Sequence, residues 1–200
     1  MKKRLVFFLL CTSFFMSCDQ TNRLSEEDYK WMPYCGNETL VFKSNTEHVD
    51  TIFLLKKDTF LAYPEAQSIS GIKHEVVSVF CKHTDPNHLD EKHRYLENNF
   101  VQIQKNKNSH AEINILLSAR DSRFYHLSPI KIDSLNREKP STLQTRYGHY
   151  DDVYVIHGED YLGNYYGRSN FITKIYWSKS QGLIRYDKKD TVFWELLMKY

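Results

Sequence analysis

The densest group of potential metal ligands lies in the middle of the chain. Between residues 81 and 93 the sequence places one thiol, three imidazoles and three carboxylates, namely Cys81, His83, Asp85, His88, Asp90, Glu91 and His93. Zinc sites are usually built from ligand pairs two to four residues apart, and this spacing matches no standard arrangement. The Asp-Pro-Asn phrase at 85–87 is typical of a solvated turn. Cys81, His83, His88 and His93 are therefore a weak metal candidate, and we predict no bound cofactor.

A second group of candidate binding residues is an aromatic loop. Exposed Tyr rings beside Asn and Arg can stack on a sugar ring, which would make this loop a glycan-binding site. The same side chains would equally cap a hairpin and pack on a sheet edge. The residues concerned are Tyr161, Asn164, Tyr165, Tyr166 and Arg168.

Catalytic motifs are missing from the sequence. Asp151 and Asp152 could act as an acid–base or calcium pair, but neighbours in a strand point to opposite faces, which favours a turn or strand-entry role. There is no Gly-x-Ser-x-Gly motif, no phosphate-binding loop and no His-Glu-x-x-His motif. We therefore expect that the protein is not an enzyme.

The elements that must position these residues are predicted to be strands. Aromatic residues make up 14% of the chain, and alternating runs rich in β-branched and aromatic residues recur along it. No proline interrupts them, and helical periodicity is confined to a short stretch at 132–138. The prediction is a mainly β protein with a single antiparallel β domain over residues 33–200, either a sandwich or a curved half-barrel sheet, with few short helices. The predicted strands are 39–43, 50–56, 75–81, 95–104, 111–117, 152–156, 171–177, 183–186 and 192–197.

The N-terminus has the composition of an export signal. Lys2, Lys3 and Arg4 precede an apolar run from Leu5 to Met16, which is too short to cross a bilayer and typical of a signal peptide. Its end, Ser17-Cys18, resembles a bacterial lipobox, which implies cleavage after residue 17 and lipidation of Cys18. An ordinary secretory signal is the alternative. Residues 18–32 are predicted to be a lipid-anchored tether with a short helix, because Ser25-Glu26-Glu27-Asp28 matches a capping box.

Processing changes the charge and the number of thiols. The 200-residue chain has 27 basic and 25 acidic side chains, and a formal charge of +2 gives no support for nucleic-acid binding. Removing residues 1–17 would leave 24 basic and 25 acidic side chains. In an exported domain, Cys35 and Cys81 would form one disulfide or remain as two separate thiols.

The last third of the chain contains a set of short aromatic motifs. It consists of Tyr150-Asp-Asp-Val153, Ile175-Tyr-Trp-Ser-Lys179, Gly182-Leu-Ile-Arg-Tyr186 and Trp194-Glu-Leu196, preceded near the start of the domain by Trp31-Met-Pro-Tyr34 and Thr39-Leu-Val-Phe42. These motifs resemble those of uncharacterised lipoproteins of Bacteroidota. The fold that they imply is similar to the curved sheets of periplasmic lipoprotein carriers. The resemblance implies a fold and an envelope location, and it carries no catalytic residues.

Together these observations predict a lipoprotein anchored to a membrane of the bacterial cell envelope. We expect its β domain to be a non-enzymatic binding or structural module, with the membrane as its partner through the N-terminal lipid and no nucleic-acid partner. The alternatives are a periplasmic carrier of an apolar ligand and a glycan-binding module. Whether the sheet forms a sandwich or a half-barrel, Gly182 is expected to start a strand with positive φ.

Overall fold

The computed structural model of the chain describes residues 21–63, 71–83, 98–119, 122–124, 126–159, 168–169 and 171–200. The described part contains two short α-helices, α1 (Glu26–Tyr29) and α2 (Ile132–Arg137), and one 3-10 turn (Lys189–Thr191). The strands are β1 (Thr21–Asn22), β2 (Thr39–Ser44), β3 (Val49–Ala62), β4 (Lys73–His83), β5 (Asn98–Lys105), β6 (Ala111–Ile115), β7 (Ser118–Ala119), β8 (Ser122–Arg123), β9 (Ile130–Lys131), β10 (Ser141–Gln144), β11 (His149–His157), β12 (Ile172–Ser178), β13 (Gly182–Lys188) and β14 (Phe193–Lys199).

Eleven of these strands form one antiparallel sheet that curls into a half-barrel. Their order is β10-β11-β12-β13-β14-β2-β3-β4-β5-β6-β9, and β1 adds to β4 in parallel. Strands β7 and β8 make a separate small hairpin. The predicted fold class is confirmed, and the half-barrel replaces the sandwich as the architecture.

Side-chain alternation explains why these segments are strands. In β2, every second side chain is buried, and Leu40, Phe42 and Ser44 lie on the inner face of the half-barrel. Strand β6 alternates in the same way through Ala111, Ile113 and Ile115. One face of each strand therefore joins the core, which is the pattern expected of an antiparallel sheet with one covered face.

The core fills the inside of the half-barrel, and part of it comes from the chain before the first long strand. Trp31 and Tyr34 are 0% and 1% exposed and pack in the same cluster as Phe42, Trp177 and Tyr186 from the sheet. Trp31 lies 4.7 Å from Tyr154, and Tyr34 lies 5.9 Å from Trp177, measured between ring centroids. The N-terminal segment is thus a structural part of the domain.

This placement corrects the predicted tether. Residues 21–32 form a strand, a helix and buried turns and so cannot serve as a flexible tether, because the apolar side chains of Leu24, Trp31 and Met32 are buried in the core. The predicted short helix and its capping box are confirmed. Neither helix of the described ranges has the length and apolar character needed to cross a membrane.

Candidate functional site

The feature best suited to a role in this protein is the segment through which the N-terminus enters the domain, residues 21–38, here called the N-terminal junction. It begins as a strand, because Thr21 pairs with Lys73 and Asn22 pairs with His74 at the start of β4. The side-chain amide of Asn22 also donates to the Ser109 hydroxyl at 2.8 Å. The junction therefore joins the sheet at its first described residue.

A buried carboxylate holds the next residues of the junction. Glu75, on β4, is 6% exposed and accepts a hydrogen bond from the backbone N–H of Leu24 at 2.8 Å. Arg23 lies 3.5 Å from the same carboxylate, but its side chain is mostly exposed, so this ion pair adds little. Burial and the nearby Glu75 carboxylate raise the pKa of Tyr29. The Leu24 hydrogen bond is the main link here, since a bond to a charged acceptor is stronger than a neutral one.

Helix α1 is closed by the predicted capping box and by a cross-link to the sheet. The Asp28 carboxylate accepts from the Ser25 backbone N–H and from the Lys105 ammonium, each at 2.8 Å. The Ser25 hydroxyl accepts from the Asp28 backbone N–H at 3.2 Å. Burial alone would raise the pKa of Asp28, but the hydrogen bonds from Lys105 and Ser25 outweigh it and lower the pKa. Asp28 therefore joins α1 to β5 as a charged group.

Three further contacts hold the junction after α1. The Trp31 indole N–H donates to the side-chain oxygen of Asn136 in α2 at 3.1 Å. The Lys199 ammonium donates to the Pro33 carbonyl at 3.1 Å, and the Lys57 ammonium donates to the Tyr34 carbonyl at 3.0 Å. Elements far apart in the sequence therefore hold the same four-residue stretch, Trp31–Tyr34.

Tyr34 crosses the inside of the half-barrel. Its hydroxyl oxygen accepts a hydrogen bond from the backbone N–H of Leu183 at 2.8 Å, and its ring lies 5.5 Å from that of Phe100. Gly182 has φ +87°, as predicted, and a Cβ atom there would lie 2.1 Å from the Tyr34 hydroxyl oxygen. Burial raises the pKa of Tyr34 far above its ordinary value. Tyr34 thus bridges β5 and β13 as a neutral phenol.

The junction ends in a tight turn against β3. The Glu38 carboxylate accepts from the backbone N–H groups of Cys35, Gly36 and Asn37 at 2.6, 2.7 and 3.0 Å. Burial would raise the pKa of Glu38, but these backbone hydrogen bonds lower it. Gly36 has φ +93°, and a Cβ atom would lie 2.2 Å from the Lys57 backbone nitrogen. Only glycine fits this approach of two backbones.

A second polar group, the Arg185 cluster, lies on the face of the sheet opposite the aromatic core. Arg185 contacts Asp187 at 2.7 Å and Glu195 at 3.4 Å, and its guanidinium lies 4.0 Å from the Phe193 ring centroid. The Tyr176 hydroxyl donates to Asp187 at 2.9 Å, and burial together with this bond raises the pKa of Tyr176 to about 12. These groups use one another as partners, which indicates a structural role.

The predicted metal candidate is only partly within the described residues. Cys81 is buried in the core, and burial raises the pKa of its thiol to about 12, which disfavours the thiolate that binds metals. His83 ends β4, and nothing is described of its side chain, while His88 and His93 lie outside the described residues. Within the described ranges, no three His, Cys, Asp or Glu side chains converge as metal ligands would.

The other predicted sites also lie partly within and partly outside the described residues. Of the aromatic loop, Arg168 is described and exposed, while residues 161–167 lie outside the described part, as do residues 1–20 with Cys18. Asp152 accepts from the Ser178 hydroxyl at 2.6 Å and from the Ser180 backbone N–H at 2.7 Å, which orders the β12–β13 turn. Asp151 is exposed and pairs with His149 at 2.8 Å. The two carboxylates therefore do not share a site.

No disulfide joins Cys35 to Cys81. Cys35 is exposed in the turn before β2, while Cys81 is buried on the inner face of β4, opposite Leu54. The pairing considered from the sequence is wrong, and the alternative of two separate thiols is correct. The physical reason is that Cys81 packs as a small hydrophobic core residue, on which an exposed turn cannot converge without rearrangement.

Comparison with known proteins gives no further guide, because no family model, no curated protein and no solved structure matches the chain. The residues that build the junction also lacked a sequence signal, apart from the capping box at Ser25. Asp28 and Lys105 are 77 positions apart, and Tyr34 and Leu183 are 149 positions apart. Only the curvature of the sheet brings such partners together.

Proposed function

We propose that this protein is a lipoprotein of the bacterial cell envelope, acylated at Cys18, whose β domain is a non-enzymatic binding or structural module. The sequence supports the anchor through the basic start, the twelve-residue apolar run and the small residue before Cys18. Two or three acyl chains would hold the protein on a membrane, since each buried methylene contributes about 0.8 kcal/mol.

The observation that carries the proposal is the construction of the N-terminal junction. From Thr21 onward, the junction is fastened to three strands of the sheet: β1 and Leu24 to β4, the latter through Glu75, Asp28 to Lys105 on β5, and Tyr34 to Leu183 on β13. A freely trailing N-terminus would not need these links, because chain ends are usually poorly ordered unless they are tied down. The links suit a chain whose first residue is fixed to a membrane.

The chemistry of the buried carboxylates favours a module over an enzyme. Asp28 and Glu75 hold the junction, and Glu195 accepts from the Arg185 guanidinium and the Arg146 backbone N–H. A general acid or base needs a pKa near the working pH, whereas hydrogen bonds lower the pKa of Asp28. These carboxylates are used for structure.

The interior of the half-barrel bears on the carrier alternative. Trp31 and Tyr34 are buried there and contact aromatic rings of β5, β11 and β12, so the protein's own side chains occupy space that an apolar ligand would need. This favours a binding or structural module over a carrier. Native mass spectrometry tests the point, because a co-purified lipid on the intact protein would reverse this preference.

The anchor is tested by metabolic labelling. Cells expressing the full chain are fed an alkyne fatty acid, and the purified protein is coupled to a fluorophore. We expect the wild-type protein and the matched control Cys11→Ala to carry the label, and Cys18→Ala to lose it and to leave the membrane fraction. A label that persists in Cys18→Ala, or that is absent from the wild-type protein, would reject the proposed anchor.

A further inference from the structure

The lipid anchor would leave the domain at one defined end of the sheet. Because β1 runs parallel to β4, the first residues of the two strands, Thr21 and Lys73, lie at the same end of the sheet. Strand β3 finishes at this end with Ala62, and the β5–β6 turn lies beside it, since Ser109 accepts from Asn22. We call this the anchor end of the sheet.

Three exposed apolar side chains lie at the anchor end. Phe60, Leu61 and Ile72 are 44%, 40% and 41% exposed. Leu61 pairs with Glu75 in the β3–β4 hairpin, and Ile72 directly precedes the residue that pairs with Thr21. Leaving such side chains in water is unfavourable, because apolar surface is more stable when it is removed from water. Because these three side chains lie beside the proposed lipid anchor, they indicate a surface that is covered when the protein is on a membrane.

Basic and aromatic side chains border this apolar cluster. The Lys73 ammonium lies 5.7 Å from the ring centroid of Tyr63, and the Arg23 side chain is 65% exposed. Lys107 is exposed in the β5–β6 turn. Long basic side chains around apolar ones are the pattern of a lipid-contacting surface, because the stems lie along the apolar region while the charges meet headgroup phosphates.

We propose that the anchor end docks on the phospholipid leaflet that holds the Cys18 lipid, with Phe60, Leu61 and Ile72 inserted at headgroup depth. This inference rests on the proposed acylation of Cys18. Only Asp19 and Gln20 separate Cys18 from Thr21, so the Cα atoms of Cys18 and Thr21 can lie at most about 11 Å apart. The domain would then stand on the membrane in one orientation.

The short distance also decides between a bilayer and a protein partner. The acyl chains of Cys18 would place this residue at the bilayer surface. Thr21 lies one strand spacing, about 4.8 Å, from the backbone of Lys73, which follows Ile72 in the chain. A second copy of the chain or another protein would have to fit between the anchor end and a surface only about 11 Å away. The lipid surface is therefore the occupant.

The test measures the environment of single positions in the acylated full-length protein. An environment-sensitive fluorophore is attached to Leu61→Cys, or to Met198→Cys as a matched control, each in a Cys35→Ser background with Cys81 buried. Met198 is 47% exposed, and it lies far from Leu61. Met198 pairs with Val41, and Val41 pairs with Thr51 on β3. Thr51 is ten positions before Leu61, which corresponds to about 33 Å along the strand. Each protein is placed in vesicles of phosphatidylethanolamine and phosphatidylglycerol, with and without brominated lipid.

We expect a blue shift and brominated-lipid quenching for the fluorophore at position 61 and neither for position 198. A water-like signal at position 61 on protein that carries the fatty-acid label would overturn the docking surface and leave the anchor intact. Equal quenching at both positions would also overturn it, because the domain would then have no fixed orientation. A blue shift in the unacylated Cys18→Ala protein without vesicles would assign the surface to self-association. Absence of the fatty-acid label would reject both proposals.

Discussion

The hydrogen bond between Tyr34 and Leu183 gives the sharpest test of the N-terminal junction. Replacing Tyr34 by Phe keeps the ring contacts with Phe100 and Trp177 and removes only the hydroxyl oxygen that accepts from the Leu183 N–H at 2.8 Å. Leu183 is 0% exposed, so its N–H would remain buried without this acceptor. A buried donor left unsatisfied costs about 1–3 kcal/mol, and we expect Tyr34→Phe to lower the free energy of unfolding by that amount.

Urea unfolding followed by tryptophan fluorescence measures this loss, and Tyr200→Phe is the matched control. Tyr200 is 70% exposed at the C-terminus, so its hydroxyl is expected to contribute less than about 0.5 kcal/mol. Native-state hydrogen exchange provides a second readout, because the Leu183 amide should exchange faster in Tyr34→Phe. Equal stabilities of the two variants, with unchanged exchange at Leu183, would refute the reasoning that Tyr34 fastens the junction across the half-barrel.

Three further predictions concern glycine, acid and thiol chemistry. Gly36→Ala should lower the free energy of unfolding by more than about 2 kcal/mol, because the new Cβ atom would lie 2.2 Å from the Lys57 backbone nitrogen and the residue would keep a strained positive φ. Gly71→Ala is the control: its Cβ atom would meet nothing within 4 Å, so only the strain of positive φ should lower the stability. Asp28 has a lowered pKa in the folded state, so its stabilisation is present above about pH 4 and is lost as the pH falls through the folded-state value. Asp28→Asn should therefore be less stable at neutral pH and lose less on acidification, and equal acid sensitivity in urea melts would argue against the link to the sheet. Cys35 should react with maleimide in the native protein and Cys81 only after unfolding, as mass spectrometry would show; native labelling of both would contradict the burial of Cys81.

A stiff junction has a consequence for how a lipid-anchored domain works. A flexible coil of about a dozen residues would let the domain sample a reach of roughly 20 Å from its lipid. In the structure those residues instead belong to the core and the sheet, so the proposed acylation of Cys18 would fix the position of the anchor relative to the domain. A binding or structural module of the proposed kind would then present the same surfaces to the envelope at all times.

Local patterns in the sequence were enough for the elements of the fold. Strands β2, β12, β13 and β14, the first half of β3 and the short helical stretch at 132–138 follow from the sequence, because alternation and turn residues act over a few positions. Positive φ at Gly182 and the capping box at Ser25 were predicted for the same reason. The length of β3 and the β10–β11 hairpin were missed, since the second half of β3 is largely exposed and β10 has only four residues.

The sequence by itself determined the targeting pattern, the antiparallel β class and the opposite facing of Asp151 and Asp152, all of which depend on residues close along the chain. Only the tertiary structure decided that Leu24, Trp31, Met32 and Tyr34 of the junction belong to the core and that Cys35 and Cys81 stay apart. It also decided that Phe60, Leu61 and Ile72 lie at the end of the sheet where β1 begins. The physical reason is that the polar composition of 19–30 is typical of a solvated segment, whereas the curled sheet supplies distant partners. The Leu24 backbone N–H and the Asp28 carboxylate bind groups 51 and 77 positions away, and the Tyr34 hydroxyl binds one 149 positions away. Curvature is a property of the whole sheet, and no local pattern encodes which distant side chains it brings together.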